Sequence, residues 1–121
     1  MDADKVVREF CEAWGRADLE AIVGAFTEDA VYHNIPMAPC EGKDAIRSFI
    51  EGLLGDMASA IEFDIRHQVT SGNLVLNERI DTIKLKTGEV VLPVCGVFEL
   101  NPDGKISAWR DYFDMKQFTG Q

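Results

Sequence analysis

Little in this chain suits disulfide or metal chemistry. Its three cysteines, Cys11, Cys40 and Cys95, form no close pair, and an odd count without an export signal reads as free thiols. Cys11 and Cys95 fall in apolar contexts and are expected to be buried small hydrophobes. The two histidines, His33 and His67, have no ligand spacing with Cys, Asp or Glu, so no metal site and no cofactor are expected. Basic residues are scarce too: 12 Lys and Arg face 21 Asp and Glu, a formal charge of −9. That balance excludes the basic stripe of a nucleic-acid binder and disfavours polyanionic substrates. No apolar run approaches the roughly 18 residues of a membrane span, so no membrane partner is expected. The start, Met-Asp-Ala-Asp-Lys, lacks the basic end and apolar core of a signal peptide, which makes the cytoplasm the expected compartment. Repeats, low-complexity segments and linkers are absent from the sequence.

What is present fits one domain over residues 1–121, with a 46% hydrophobic and 27% charged composition. Asp2 or Asp4 can cap a first helix running through Trp14, whose Val6, Val7, Phe10, Cys11, Ala13 and Trp14 recur at helical spacing. Asp18 can cap a second helix from Leu19 to Phe26. Both read as scaffold. Ala30 to Met37 is a short extended segment bent by Pro36, with Tyr32 and Asn34 on one face and His33 on the other. After a loop, a third helix over about 43–54 buries Ala45, Ile46, Phe49, Ile50, Leu53 and Leu54.

From Ile61 the period changes to two. Strands are expected over 61–70, 74–86, 89–101 and 105–114, joined by the turns Ser71-Gly-Asn73, Lys86-Thr-Gly-Glu89 and Asn101-Pro-Asp-Gly104. Pro93 and Gly96 interrupt the third of these and predict a bulge or sharp bend. Helices followed by meandering strands give the class: α+β, a strongly curved mixed or antiparallel sheet forming a cone or cup, covered by the N-terminal helices.

The chemistry sits on two of those strands. Alternation puts Val75, Asn77, Arg79, Asp81, Ile83 and Leu85 on one face, and Ser107, Trp109, Asp111 and Phe113 on one face of the last strand. An Arg and an Asp thus share a mostly apolar face, and a second Asp lies between two aromatics. A solvated salt bridge also fits Arg79 and Asp81, and Leu74, Leu76 and Ile80 make the opposite face apolar as well, so alternation leaves both readings open. If Asp81, Arg79 and Asp111 meet in one pocket, two carboxylates around one guanidinium carry a single net negative charge. Desolvation and like-charge repulsion then favour one bound proton, giving an acid and a base side by side.

Tyr32-His-Asn-Ile-Pro-Met37, Asn77-Glu-Arg-Ile-Asp81, and Gly96-Val-Phe-Glu-Leu100 with Trp109-Arg-Asp-Tyr-Phe-Asp114 closely resemble limonene-1,2-epoxide hydrolase, in the right order over nearly the whole chain. The resemblance implies a cone-shaped fold like that of nuclear transport factor 2 and ketosteroid isomerase, a homodimer, and hydrolysis of a small apolar epoxide without a covalent intermediate. It implies that Asp111 activates a water also held by Tyr32 and Asn34, that Asp81 protonates the epoxide oxygen, and that Arg79 bridges the aspartates. Ile83, Leu92, Val94 and Phe113 then fall on the substrate wall, together with Met37, Leu53, Met57 and Trp109. An isomerase or cyclase of the same fold, or a non-catalytic ligand-binding module, are the alternatives; neither needs both the water-holding residues and a bridging arginine.

Overall fold

The computed structural model describes residues 1–119. Its first helix, α1 (Ala3–Gly15), starts where Asp2 accepts a hydrogen bond from the Lys5 amide at 3.1 Å, satisfying a donor the helix itself cannot. Asp18 does the same for α2 (Leu19–Gly24) through the Ala21 amide. This second helix stops short of the expected end because Phe26 already pairs with the last strand. That pairing opens β1 (Phe26–Asn34), which therefore begins four residues before the extended segment read from the sequence. A turn at Pro36 leads to β2 (Cys40–Glu41), a two-residue strand in what reads as loop.

The third helix, α3 (Lys43–Gly52), runs on into a π-helical turn, Leu53–Met57, and Ala45 is exposed rather than part of its buried stripe. Four strands follow: β3 (Ala58–Ser71), β4 (Leu74–Leu85), β5 (Gly88–Leu100) and β6 (Ile106–Tyr112). A short α4 (Met115–Thr119) closes the described chain. It was not expected, although Asp114 carries its signal: the side chain accepts from the Lys116 amide at 2.9 Å.

The six strands form one open mixed sheet in the order β2-β1-β6-β5-β4-β3. Only β1 and β6 run parallel, which lays Tyr32 beside Trp109 and Asn34 beside Asp111. Helix α1 packs on the inner face against β3 and β4. There Phe10 meets the rings of Trp14, Phe26, Phe98 and Trp109 edge-on, with centroids 5.1–6.4 Å apart. Burying each such ring is worth roughly 2–3 kcal/mol, so this cluster anchors the helix to the sheet. Among the described residues no helix is long and apolar enough to cross a membrane.

Strand β5 corrects two expectations. Its pairing with β4 is unbroken through Pro93 and Gly96, and the irregularity lies farther on, between Glu99 and Leu100 opposite β6. Pro93 is tolerated because β6 pairs with β5 only from Cys95 onward, so the missing N–H falls on a free edge. Cys95 is exposed, not buried: the inner face takes Leu92, Val94, Gly96, Phe98 and Leu100, and alternation turns Cys95 outward. Cys11 is buried, and desolvation pushes its thiol up to about 12.

Candidate active site

Strand β4 presents Asn77, Arg79 and Asp81 on the inner face, all buried. Two strands away, β6 presents Asp111, and the intervening residue of β5 is Gly96, paired with Asn77 on one side and Asp111 on the other. A side chain there would collide with the guanidinium of Arg79, stand 2.8 Å from Asp111 Oδ1 and 3.0 Å from Asn77 Oδ1. The glycine leaves the space that the arginine fills. Its chain break in the hydrophobic pattern signals close approach rather than a bulge.

Across that gap Arg79 reaches both aspartates. Its Nε and Nη2 donate to Asp81 Oδ1 and Oδ2 at 3.0 and 2.8 Å. Its Nη1 and Nη2 donate to Asp111 Oδ1 and Oδ2 at 3.1 and 2.7 Å. Arg79 is 0% exposed, Asp81 5% and Asp111 4%, so the trio is a buried cluster and not a solvated salt bridge. The Phe63 ring lies 4.4 Å from the guanidinium carbon and adds a cation–π contact.

Burial of this kind is unfavourable unless every charge is paired. Desolvation opposes the Arg79 charge, yet Asp111 and Asp81 more than offset it and hold the guanidinium firmly protonated. For Asp81 the balance goes the other way: desolvation outweighs the Arg79 hydrogen bonds, and Asp111 adds repulsion, raising the carboxyl from 3.8 to about 6. Asp81 therefore keeps a proton more readily than an ordinary aspartate.

Tyr32 and Asn34 complete the polar floor. Asn34 ends β1 beside Asp111, where the Ile35 amide donates to the Asp111 carbonyl at 2.9 Å. The Tyr32 ring stacks on Trp109 at 4.2 Å and 7°, which fixes its hydroxyl 3.5 Å from Asn34 Oδ1. Burial, then the nearby Asp111, raises the phenol well above its ordinary value, so the hydroxyl stays neutral. Tyr32, Asn34 and Asp111 line the same cavity, two neutral polar groups beside a carboxyl group.

Above this floor is a cavity of about 490 Å³. Tyr32, Asn34, Asp81 and Asp111 line it, and so do Met37, Leu53, Met57, Ile83, Leu92, Val94 and Phe113. Trp109 does not line it. It is fully buried beneath, between Tyr32 and Phe98, and its Nε1 donates to Asp111 Oδ1 at 2.7 Å. Arg79 is likewise below the floor rather than in the wall. Leu54 also falls outside the lining.

Sequence reasoning missed Trp14, Phe49, Ile61, Phe63 and Phe118 in the wall. Trp14 and Phe49 belong to helical stripes legible as buried, but an apolar stripe that fills a core looks the same in sequence as one that lines a cavity. Phe118 belongs to α4, whose cap at Asp114 was the available signal.

A sequence model of the limonene-1,2-epoxide hydrolase catalytic domain matches residues 1–121. The chain is 33% identical to epoxide hydrolase EphG of Mycobacterium tuberculosis over 111 residues, covering 90% of this chain and 71% of that one. It superposes on the structure of a limonene-epoxide-hydrolase-like epoxide hydrolase of M. tuberculosis with a TM-score of 0.86, at 32% identity, covering 98% of this chain and 87% of that one. An NTF2-like protein of Burkholderia pseudomallei shares the fold at a TM-score of 0.86 and 19% identity, over 99% of this chain and 97% of its own.

Proposed function

The chain belongs to the limonene-1,2-epoxide hydrolase family, and on that premise we propose that it adds water to a small apolar epoxide, cyclic or terpene-like, giving a vicinal diol in one step. The observation that carries this reading is the pair of carboxylates on one buried guanidinium, at the floor of a largely apolar cavity.

In this scheme Asp111 is the base. It takes a proton from a water held by Tyr32 and Asn34, and the water oxygen attacks an epoxide carbon as its C–O bond breaks. Asp81 is the acid and gives its proton to the departing oxygen. Before the step the cluster holds Asp81 protonated, Asp111 ionised and Arg79 cationic. Afterwards the proton is on Asp111 instead, and the net charge is unchanged. Arg79 therefore sees no change in total charge, and little reorganisation is needed in a site that excludes bulk water. Proton return to Asp81 restores the starting state.

The apolar wall of Met37, Leu53, Met57, Ile83, Leu92, Val94 and Phe113 suits a hydrocarbon frame with no second polar group. No metal or cofactor has a role in the scheme. The protein is proposed to act in the cytoplasm as a homodimer built on the sheet's outer face. Support for the dimer comes from that face, where Val91 is 58% exposed and Leu76 and Ile80 are half-buried. The direct test is incubation with styrene oxide, cyclohexene oxide and limonene oxide. Vicinal diols from at least one are expected, and a protein that leaves all three intact is not the hydrolase described. A ring-closed ether from a hydroxy-epoxide, with no diol from the plain epoxides, would favour a cyclase.

A further inference from the structure

An arginine has five N–H donors, and the two aspartates take four of them here. The fifth, on Nη1, goes to Asn77 Oδ1 at 3.1 Å. The line of donors then continues outward. Asn77 Nδ2 donates to Gln68 Oε1 at 3.1 Å. Gln68 Nε2 donates to the Asp4 carbonyl at 3.1 Å and to Asp4 Oδ1 at 2.7 Å. Every bond points the same way, from a buried guanidinium to a surface carboxylate in the first turn of α1. Such a chain polarises along its length, so its members reinforce one another.

Gln68 occupies its place only because β3 is irregular. Ile61, Phe63 and Ile65 face inward, and unbroken alternation would turn His67 in and Gln68 out. Ile65 pairs with Arg79 but His67 pairs with Glu78, so Arg66 is one residue extra. The bulge reverses the alternation. His67 lies outside near Glu78, and Gln68 stands opposite Asn77 on the inner face. Bulges commonly re-aim side chains beside functional sites.

We propose that Asn77 and Gln68 are positioning residues for the carboxylate pair: they hold the fifth donor of Arg79, so that its plane presents both aspartates to the cavity, and the bulge at Arg66 is what brings Gln68 into the line. This rests on the reading of Asp81 as acid and Asp111 as base. Without Asn77, the free donor has no other acceptor in the cluster and the guanidinium turns to find one. Displacing a reacting group by about 1 Å can cost 100-fold in rate. The titratable groups facing Asp81 are Arg79 on its own strand, Asp111 from β6, Tyr32 from β1 and Cys11 from α1. Asn77 and Gln68 act on it through the first of these.

The test compares wild type with Asn77→Leu, Gln68→Leu and Asn77→Asp, using cyclohexene oxide as probe. It reads kcat, KM, the pH profile, and the titration midpoint of the Asp81 carboxyl carbon by NMR in the ligand-free protein. Asn77→Leu should lower kcat about 10- to 100-fold with KM little changed, and Gln68→Leu should lower it several-fold. Both loosen Arg79 and should raise the Asp81 midpoint. Asn77→Asp keeps the acceptor but adds a negative charge, and should raise the midpoint by about one unit while keeping most of kcat. Wild-type kcat and midpoint in both leucine variants, with only Tm lowered, would reduce the line to a tether for α1 and overturn the proposal. If Asn77→Leu does not fold, Gln68→Leu, at a partly exposed position, decides the matter. If wild type opens no epoxide, the hydrolase reading fails, and the NMR midpoints still decide whether Asn77 and Gln68 position the pair.

Discussion

Asp81 and Asp111 accept hydrogen bonds from the same nitrogen, Arg79 Nη2, at 2.8 and 2.7 Å. Both carboxylates thus lean on one buried cation, and for Asp81 desolvation outweighs that pairing while Asp111 adds like-charge repulsion. Its carboxyl is raised to about 6.

Its pH dependence follows. As a general acid Asp81 is competent below about 6, so kcat/KM should fall as pH rises through that value. The same shift acts on stability. A carboxyl whose folded pKa is raised contributes stability that is complete below its unfolded value of 3.8 and is lost as pH rises through about 6. The stability of wild type relative to Asp81→Asn should therefore fall by up to about 3 kcal/mol between pH 4 and 7, at 1.36 kcal/mol per unit. Urea melts of both proteins across that range measure it, and a constant difference would contradict a raised Asp81.

Neither carboxylate becomes an ester in the proposed step. A single turnover in oxygen-18 water with excess enzyme should place the label in the diol at once. An unlabelled first diol would reveal an aspartate nucleophile. Asp81→Asn and Asp111→Asn should each lower kcat by roughly 100- to 10,000-fold, because an amide can neither give nor take the proton.

Water placement is tested at the other end of the floor. Tyr32→Phe and Asn34→Ala each remove one of the groups proposed to hold the water, and each should lower kcat roughly 10- to 1000-fold with the fold intact by circular dichroism. Unchanged rates in both would put the nucleophile elsewhere.

Gly96 should be the least tolerant of the described glycines. Gly96→Ala drives a methyl group into Arg79, Asp111 and Asn77, and should cost about 1–3 kcal/mol of stability together with most of the activity. Gly55→Ala, in the exposed turn after α3 with no atom within 4 Å of the added carbon, is the control and should change stability little. Equal melting temperatures for the two variants would mean that the cluster yields freely.

For the outer face, light scattering should give a dimer at micromolar concentration. Val91→Glu should shift it toward monomer without touching the cavity, because Val91 points away from it. A monomeric wild type would contradict the dimer.

The sequence by itself determined which residues share a face. Because side chains alternate along a strand free of bulges, Arg79 lies with Asp81, Trp109 with Asp111, and Tyr32 with Asn34. The helix cap at Asp18 was legible and the first cap was narrowed to Asp2 or Asp4, since each depends on residues within one turn. Tertiary structure alone decided which of two apolar faces of β4 turned inward, that β6 runs parallel to β1, and that Gly96 stands between Asn77 and Asp111. It also decided that Trp109 supports the floor from beneath, and that one extra residue at Arg66 turns Gln68 toward Asn77. Those are relations between segments far apart in the chain, set by register and packing, and alternation within a strand carries no record of its neighbours.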